Sequence, residues 1–131
     1  VRVISVKEVT SKAVVSAPPN TSIRRVAELM HSKNIGSVLV VDERGNLVGI
    51  FTERDLVRVV ALGIDLEIPV ERVMTVRPIT ASLNEGVVEV AYKMVENWVR
   101  HLPVVDESGR VVGVVSIRDV LRAYLAGSAF P

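Results

Sequence analysis

Val40-Val41-Asp42-Glu43-Arg44-Gly45-Asn46-Leu47-Val48-Gly49 returns 64 positions later as Val104-Val105-Asp106-Glu107-Ser108-Gly109-Arg110-Val111-Val112-Gly113. Each copy runs from β-branched residues into an Asp-Glu-x-Gly turn, whose glycine can take positive φ, and out into β-branched residues again. That is the pattern of a strand, a tight turn and a second strand. Carried outward without a gap, the same shift lays residues 6–63 on residues 70–127, with 18 identities in 58 positions. Conservative pairs such as Ile23 with Val87 and Thr52 with Ser116 fill much of the rest. The chain is a tandem repeat.

Each copy predicts the order β-α-β-β-α. A short strand is expected around Val14 to Ser16 and around Ile79 to Ala81. A helix follows, with Ile23, Val26, Ala27 and Met30 on one face in the first copy and Val87, Val90, Ala91 and Met94 in the second. Strands are expected at Ser37 to Val41 and Leu102 to Val105, then at Leu47 to Phe51 and Val111 to Val115. Closing helices are expected at Glu53 to Leu62 and Ile117 to Ala126. The junction lies near Gly63 to Pro69, which divides the chain into residues 1–65 and 66–131. A unit of roughly 60 residues is marginal alone. Two related units that bury their sheets against each other across a pseudo-twofold axis make one compact α/β (α+β) module.

Composition narrows the function. The 131 residues carry 16 Lys+Arg and 15 Asp+Glu, a net charge of +1 that argues against a nucleic-acid coat or an acidic tail. Valine fills 29 positions, a strand-forming bias, while aromatics are only 4%. Without cysteine there is no disulfide, thiolate or Cys-based zinc site, and His31 and His101 alone do not make a histidine-rich metal site. No apolar run approaches the roughly 20 residues that span a bilayer, and no secretory leader is visible. A soluble cytoplasmic protein is expected. No GxxxxGK[ST] or GxGxxG loop occurs, which disfavours an ATPase or a Rossmann enzyme.

The chemistry concentrates where the last strand meets the closing helix: Gly49-Ile50-Phe51-Thr52-Glu53-Arg54-Asp55 and Gly113-Val114-Val115-Ser116-Ile117-Arg118-Asp119. Capping alone explains one such junction, because Thr or Ser at the N-cap with an acid three residues on is a capping-box start. The same atoms also suit a ribose phosphate. A helix N-terminus favours phosphate, hydroxyl and arginine add donors, and a carboxylate accepts a ribose diol. The arginine at both middle positions, which capping does not require, favours the second reading.

At these residues the chain resembles a tandem pair of cystathionine-β-synthase (CBS) domains, the Bateman module that senses adenine nucleotides. Ile35-Gly36-Ser37-Val38-Leu39-Val40-Val41-Asp42 and Gly49 to Asp55 carry the resemblance in the first copy. Val99-Arg100-His101-Leu102-Pro103-Val104-Val105-Asp106 and Gly113 to Asp119 carry it in the second. The resemblance covers nearly the whole chain and implies two clefts between the units. One would use Ser116, Arg118, Asp119 and Val114 with Thr10, Ala13, Val15 and Ile35, and with Gly36 and Arg100 nearby. The other would use Thr52, Arg54, Asp55 and Ile50 with Met74, Arg77, Ile79 and Val99. Asp119 and Asp55 would hold ribose hydroxyls, the hydroxyl residues and arginines would hold phosphate, and the aliphatic side chains would enclose adenine. The clefts are unequal: Arg77 stands where the first copy has Ala13, Arg100 where it has Gly36, and Met74 where it has Thr10.

Other candidates have plainer readings. His101 has no partner for base catalysis and is read as structural or at the ligand's edge. Glu28, Glu89 and Glu96 are read as solvated, and Glu53 and Asp55, at i and i+2, as pointing to different sides of the helix. That disfavours a carboxylate-pair hydrolase. Trp98 is expected in the core or at a subunit interface. The closing helices carry more apolar surface than one face requires, which with the family resemblance implies a homodimer, with Phe130 against the partner.

The expected function is therefore regulatory, without catalysis, metal or required cofactor. AMP is the first ligand, with ADP and ATP next, and a separate effector protein reads the ligand-induced change. S-adenosylmethionine or a dinucleotide in the same clefts is the alternative, since both share adenosine. A nucleic-acid-binding or scaffold CBS protein is a further alternative, with nucleic-acid binding weakened by the net charge of +1, and a small enzyme is disfavoured by the lack of a nucleophile-base pair or metal site.

Overall fold

The computed structural model describes residues 3–129, so Phe130 lies outside the described residues. The elements run α1 (Val6–Val9), β1 (Ser16–Ala17), α2 (Ile23–Lys33), β2 (Ser37–Val41), β3 (Leu47–Thr52), α3 (Glu53–Ala61), a 3-10 turn (Val70–Arg72), β4 (Thr75–Val76), α4 (Val87–Glu96), β5 (His101–Val105), β6 (Val111–Ser116) and α5 (Ile117–Ala129). The main helices and strands lie where the repeat puts them. The short α1, the 3-10 turn and β4 were not expected.

The chain divides into two compact units that are not the two sequence repeats. One is Val15–Pro78; the other joins the leading residues, up to Val14, to the segment from Ile79 onward. Each repeat's opening segment thus packs with the body of the other repeat.

In the unit Val15–Pro78 the sheet order is β1-β2-β3-β4, with β1 parallel to β2 and the other pairs antiparallel. Alternation fixes what the sheet buries: Val38 and Val40 of β2 and Phe51 of β3 meet Ile23, Val26 and Met30 of α2 and Val59 of α3 in one core. Ser22 starts α2 by accepting the Arg25 amide, and Asn34 ends it in the left-handed conformation, φ 52°. The chain after α3 then closes over the start of α2, with Ile23 and Arg24 amides donating to the Ile68 and Leu66 carbonyls.

The second unit repeats this plan with fewer bonds. β5 and β6 pair antiparallel in the register of β2 and β3, including the irregularity at Val104/Val105 that matches Val40/Val41. Ala81 bridges Val104 in parallel and Ser11 bridges Val114 antiparallel, in the places of β1 and β4. The strand expected at Ile79 to Ala81 is thereby reduced to one bridge. Proline is the reason: the Leu39 amide donates to the Val15 carbonyl beside β1, and its counterpart, Pro103, has no N–H to donate. In the first copy the strand itself is Ser16–Ala17, ended by Pro18 and Pro19. The second core gathers Val6, Ala81, Val87, Val90, Met94, Leu102, Val104, Val115 and Val120. Val6 of α1 is fully buried there and donates its amide to the Glu85 carbonyl.

Trp98 is not a core residue: it is 79% exposed, just past α4. The tight turn after Met94 needs a left-handed residue, and Trp98 supplies it at φ 55°, as Asn34 does after α2.

Candidate functional site

Both junctions fold as capping boxes. Thr52 accepts the Asp55 amide through Oγ1 (3.3 Å), and Asp55 Oδ2 accepts the Thr52 amide (2.9 Å). Ser116 accepts the Asp119 amide (3.1 Å), and Asp119 Oδ2 accepts the Ser116 amide (2.9 Å). The helix N-termini are less open than the sequence suggests. The Glu53 amide, first in α3, donates to the Gly36 carbonyl, and the Ile117 amide, first in α5, donates to the Arg100 carbonyl. These two bonds place Gly36 and Arg100 beside the junctions through their backbones.

The aspartates differ in surroundings. Asp55 is buried, the only charged residue in the core among the described residues. Besides the Thr52 amide, its carboxylate accepts from Thr52 Oγ1 (3.1 Å), Arg58 Nη1 (2.9 Å) and Thr75 Oγ1 (3.2 Å). Arg58 is held in place because its Nη2 donates to the Val73 carbonyl (2.7 Å). Asp119 is half-buried, and the Ser116 amide is its one donor among the described residues. Arg122, the counterpart of Arg58, is exposed and forms no ion pair among them.

The expected site residues divide between the units. Thr10, Ala13, Arg100, Val114, Ser116, Arg118 and Asp119 belong to one unit, while Val15, Ile35 and Gly36 belong to the other. Thr10 Oγ1 donates to the Val114 carbonyl (3.2 Å), which fixes the strand edge beside Gly113. Arg118 and Ala13 are exposed. From the second expected set, Ile50, Thr52, Arg54, Asp55, Met74 and Arg77 share the unit Val15–Pro78, while Ile79 and Val99 lie in the other. Ile50 is buried, Arg54 and Arg77 are exposed, and Arg77 has a left-handed backbone at φ 47°. Met74, Val15 and Ile35 pack partly on the core of Val15–Pro78, and Val99 on the second core. His101 is half-buried in β5, Glu53 is exposed, and no cluster of metal-ligating side chains occurs among the described residues.

Sequence reasoning missed Arg58, Thr75 and Ser11. An arginine three residues after each aspartate was a visible signal, but both copies have it. What separates them is Thr75 against its counterpart Ser11, whose hydroxyl accepts the Ala13 amide (3.3 Å).

The two copies thus share a strand-turn-strand-helix with a capped Ser/Thr-x-Arg-Asp junction. The CBS domain family matches residues 6–62 and 70–126, and the chain belongs to that family. It is 37% identical over 120 residues to an uncharacterized 17.7 kDa protein of Acidianus ambivalens, covering 92% of this chain and 73% of that protein. The CBS domain pair of protein MJ0100, solved with 5′-methylthioadenosine and S-adenosyl-L-methionine, matches at TM-score 0.89 and 36% identity. That match covers 96% of this chain and 99% of that one. A CBS domain protein from Pyrobaculum aerophilum, solved with AMP, matches at TM-score 0.87 and 32% identity, over 98% and 100% of the two chains. Several curated relatives are longer proteins, of which this chain spans only 23–24%. No helix among the described residues is long and apolar enough to cross a membrane.

Proposed function

We propose that this CBS pair is a non-catalytic regulatory module that binds an adenosine-bearing ligand at the Ser/Thr-x-Arg-Asp junctions. Its supporting observation is the shared part of the ligands in the two solved relatives. AMP, S-adenosylmethionine and methylthioadenosine have adenosine in common and differ at the 5′ substituent. A junction carboxylate suits the ribose diol, and the neighbouring apolar residues suit the base. Arg118, exposed at the start of α5, suits a 5′-phosphate, which places AMP first, with ADP and ATP next. S-adenosylmethionine, which carries no phosphate, is the second reading, favoured by its presence in the MJ0100 pair. Binding shifts the equilibrium between conformations, and an effector protein reads the shift. The proposal includes a homodimer through the outer faces of α3 and α5, where Val57, Val60, Leu121, Tyr124 and Leu125 are exposed.

A thermal-melt screen of the intact protein with AMP, ATP, GMP, S-adenosylmethionine and methylthioadenosine tests the reading. A ligand at a hundredfold excess over its Kd stabilises the fold by about 2.7 kcal/mol. Adenosine-bearing ligands raise Tm and GMP does not. Equal shifts with GMP, or none with any adenosine compound, would sink the proposal.

A further inference from the structure

α2 and α4 are the same helix in the two copies, yet their outer faces differ in kind. In α2 the exposed positions are Arg24, Glu28 and His31; 64 positions on, in α4, they are Val88, Tyr92 and Val95. The charged set is satisfied within its own unit, where Arg24 pairs with Glu67 and Glu28 with Arg25 (3.7 Å). The apolar set recurs at i, i+4 and i+7, a stripe whose residues are 55%, 65% and 69% exposed. The core does not call for it, because α4 already buries Val87, Val90 and Met94.

α4 packs against α5, and both bury their inner faces in one core, so their outer faces lie side by side. Leu121 and Tyr124 of α5 add apolar surface, 52% and 64% exposed. In the unit Val15–Pro78 only the closing helix is apolar outside, at Val57 and Val60. The two tyrosines present roughly 200–300 Å² between them, and the three aliphatic residues bring the α4–α5 face to on the order of 500 Å². A standard interface takes about 800 Å² from each partner, and homodimer interfaces are about 65% apolar, so this face is what one side of a stable dimer needs.

The charges beside the stripe fit a second copy of the same face. α4 carries Glu89 and Glu96 and α5 carries Arg122, all exposed. A twofold axis running between the helices lays α4 of one copy on α5 of the other, apolar on apolar and acid toward arginine. Pairing the stripe with α2 instead would bury Arg24 and Glu28 against valine and tyrosine.

We propose that two copies of the chain associate through the α4–α5 face of each, second repeat on second repeat. This rests on the homodimer in the reading above and adds which unit meets which. The asymmetry between the copies then sets the polarity of the assembly.

Because the chain has no cysteine, single-cysteine variants of the intact protein report on one position each. Val95→Cys on α4 and His31→Cys at the same place on α2 are treated with a short bismaleimide, separately and as an equal mixture. Val95→Cys chains join to one another, and the mixture yields little product that joins the two variants. Sedimentation of Tyr92→Glu, checked for folding by circular dichroism, gives a dimer Kd about 30-fold weaker or more, as for loss of an aromatic anchor; Tyr92→Ala serves if that variant unfolds. A mixed product in place of the Val95→Cys one, or wild-type dimer affinity in the folded Tyr92 variant, overturns the proposal and leaves the homodimer standing. A wild type that is monomeric at every concentration overturns the homodimer itself, and the proposal with it.

Discussion

Gly113 and Gly49 occupy the same place in the two copies, yet alanine is expected to cost far more at Gly113. A Cβ at Gly113 would lie 2.8 Å from the Ser11 carbonyl oxygen, inside the closest approach that real Cβ atoms make. That neighbour is backbone and cannot rotate away. Ser11 and Val114 exchange two backbone bonds (2.9 and 3.0 Å), and Thr10 adds a hydroxyl bond to the same Val114 carbonyl. Moving the segment to admit a methyl group sacrifices two or three bonds worth about 1 kcal/mol each, or about 2–3 kcal/mol in total. At Gly49 the Cβ would press on the Met74 side chain, most closely on its Sδ and then on Cγ and Cε, both at 2.9 Å. A methionine side chain is flexible and can swing aside, and alanine is the better strand residue by about 0.5–1 kcal/mol, so the net cost is about 1 kcal/mol or less. The propensity gain applies at both strand positions and cancels between them, so urea unfolding of Gly113→Ala and Gly49→Ala should differ by about 1–2 kcal/mol. Amide hydrogen exchange localises the cause: Val114, whose N–H donates to Ser11, loses protection in Gly113→Ala and keeps it in Gly49→Ala. Equal destabilisation, or a Val114 amide as protected as in the wild type, would refute the reasoning.

Two further perturbations test other parts of the chain. Trp98→Asn relieves a bulky left-handed residue and installs the one that serves after α2, so a rise of about 1 kcal/mol in stability is expected by urea unfolding; a loss would show that the ring's contacts outweigh the backbone strain. The Ser108 hydroxyl (2.7 Å), with the Arg110 and Ser108 amides, holds the Asp106 carboxyl below its ordinary value. Because the folded value lies below the unfolded one, this group favours folding above the ordinary carboxylate range and loses its contribution as pH falls through the folded value. Ser108→Ala moves the Asp106 midpoint upward in a carboxyl NMR titration, so that the loss begins at higher pH; an unchanged midpoint would remove the hydroxyl as the cause.

The repeat made most of the fold legible because two kinds of signal agreed: β-branched runs on either side of an Asp-Glu-x-Gly turn, and apolar spacing of a helix before it. The glycines in those turns take φ 84° and 87°, as that turn chemistry requires. What stayed hidden was decided by partners distant in sequence. β4 is two residues long, and Thr75-Val76 has no alternation to read. The weakening of the strand at Ala81 was written in Pro103, but only the pairing of that residue with the expected strand gives the proline its meaning. The junctions were legible as capping boxes. Their difference was not, since Asp55, Arg58 and Thr75 meet through folding, and the Arg122 that copies Arg58 behaves otherwise. Of the two places expected for Trp98, the core is excluded by its exposure; an apolar residue at a helix end reads as core until the backbone turn there is known.

The crossing of opening segments also sets an order of assembly during synthesis. Val15–Pro78 is continuous, so all its strands and helices are available once β4 has left the ribosome. The leading residues have no such option. Val6 awaits Glu85, and Thr10 and Ser11 await Val114, a partner 104 positions from Thr10. The segment that precedes Val15–Pro78 is therefore placed after it. Until β6 emerges, Val6 lacks the core it enters in the folded unit, and the segment from Val6 to Ser11 stays open to proteases and to mispairing with another nascent chain.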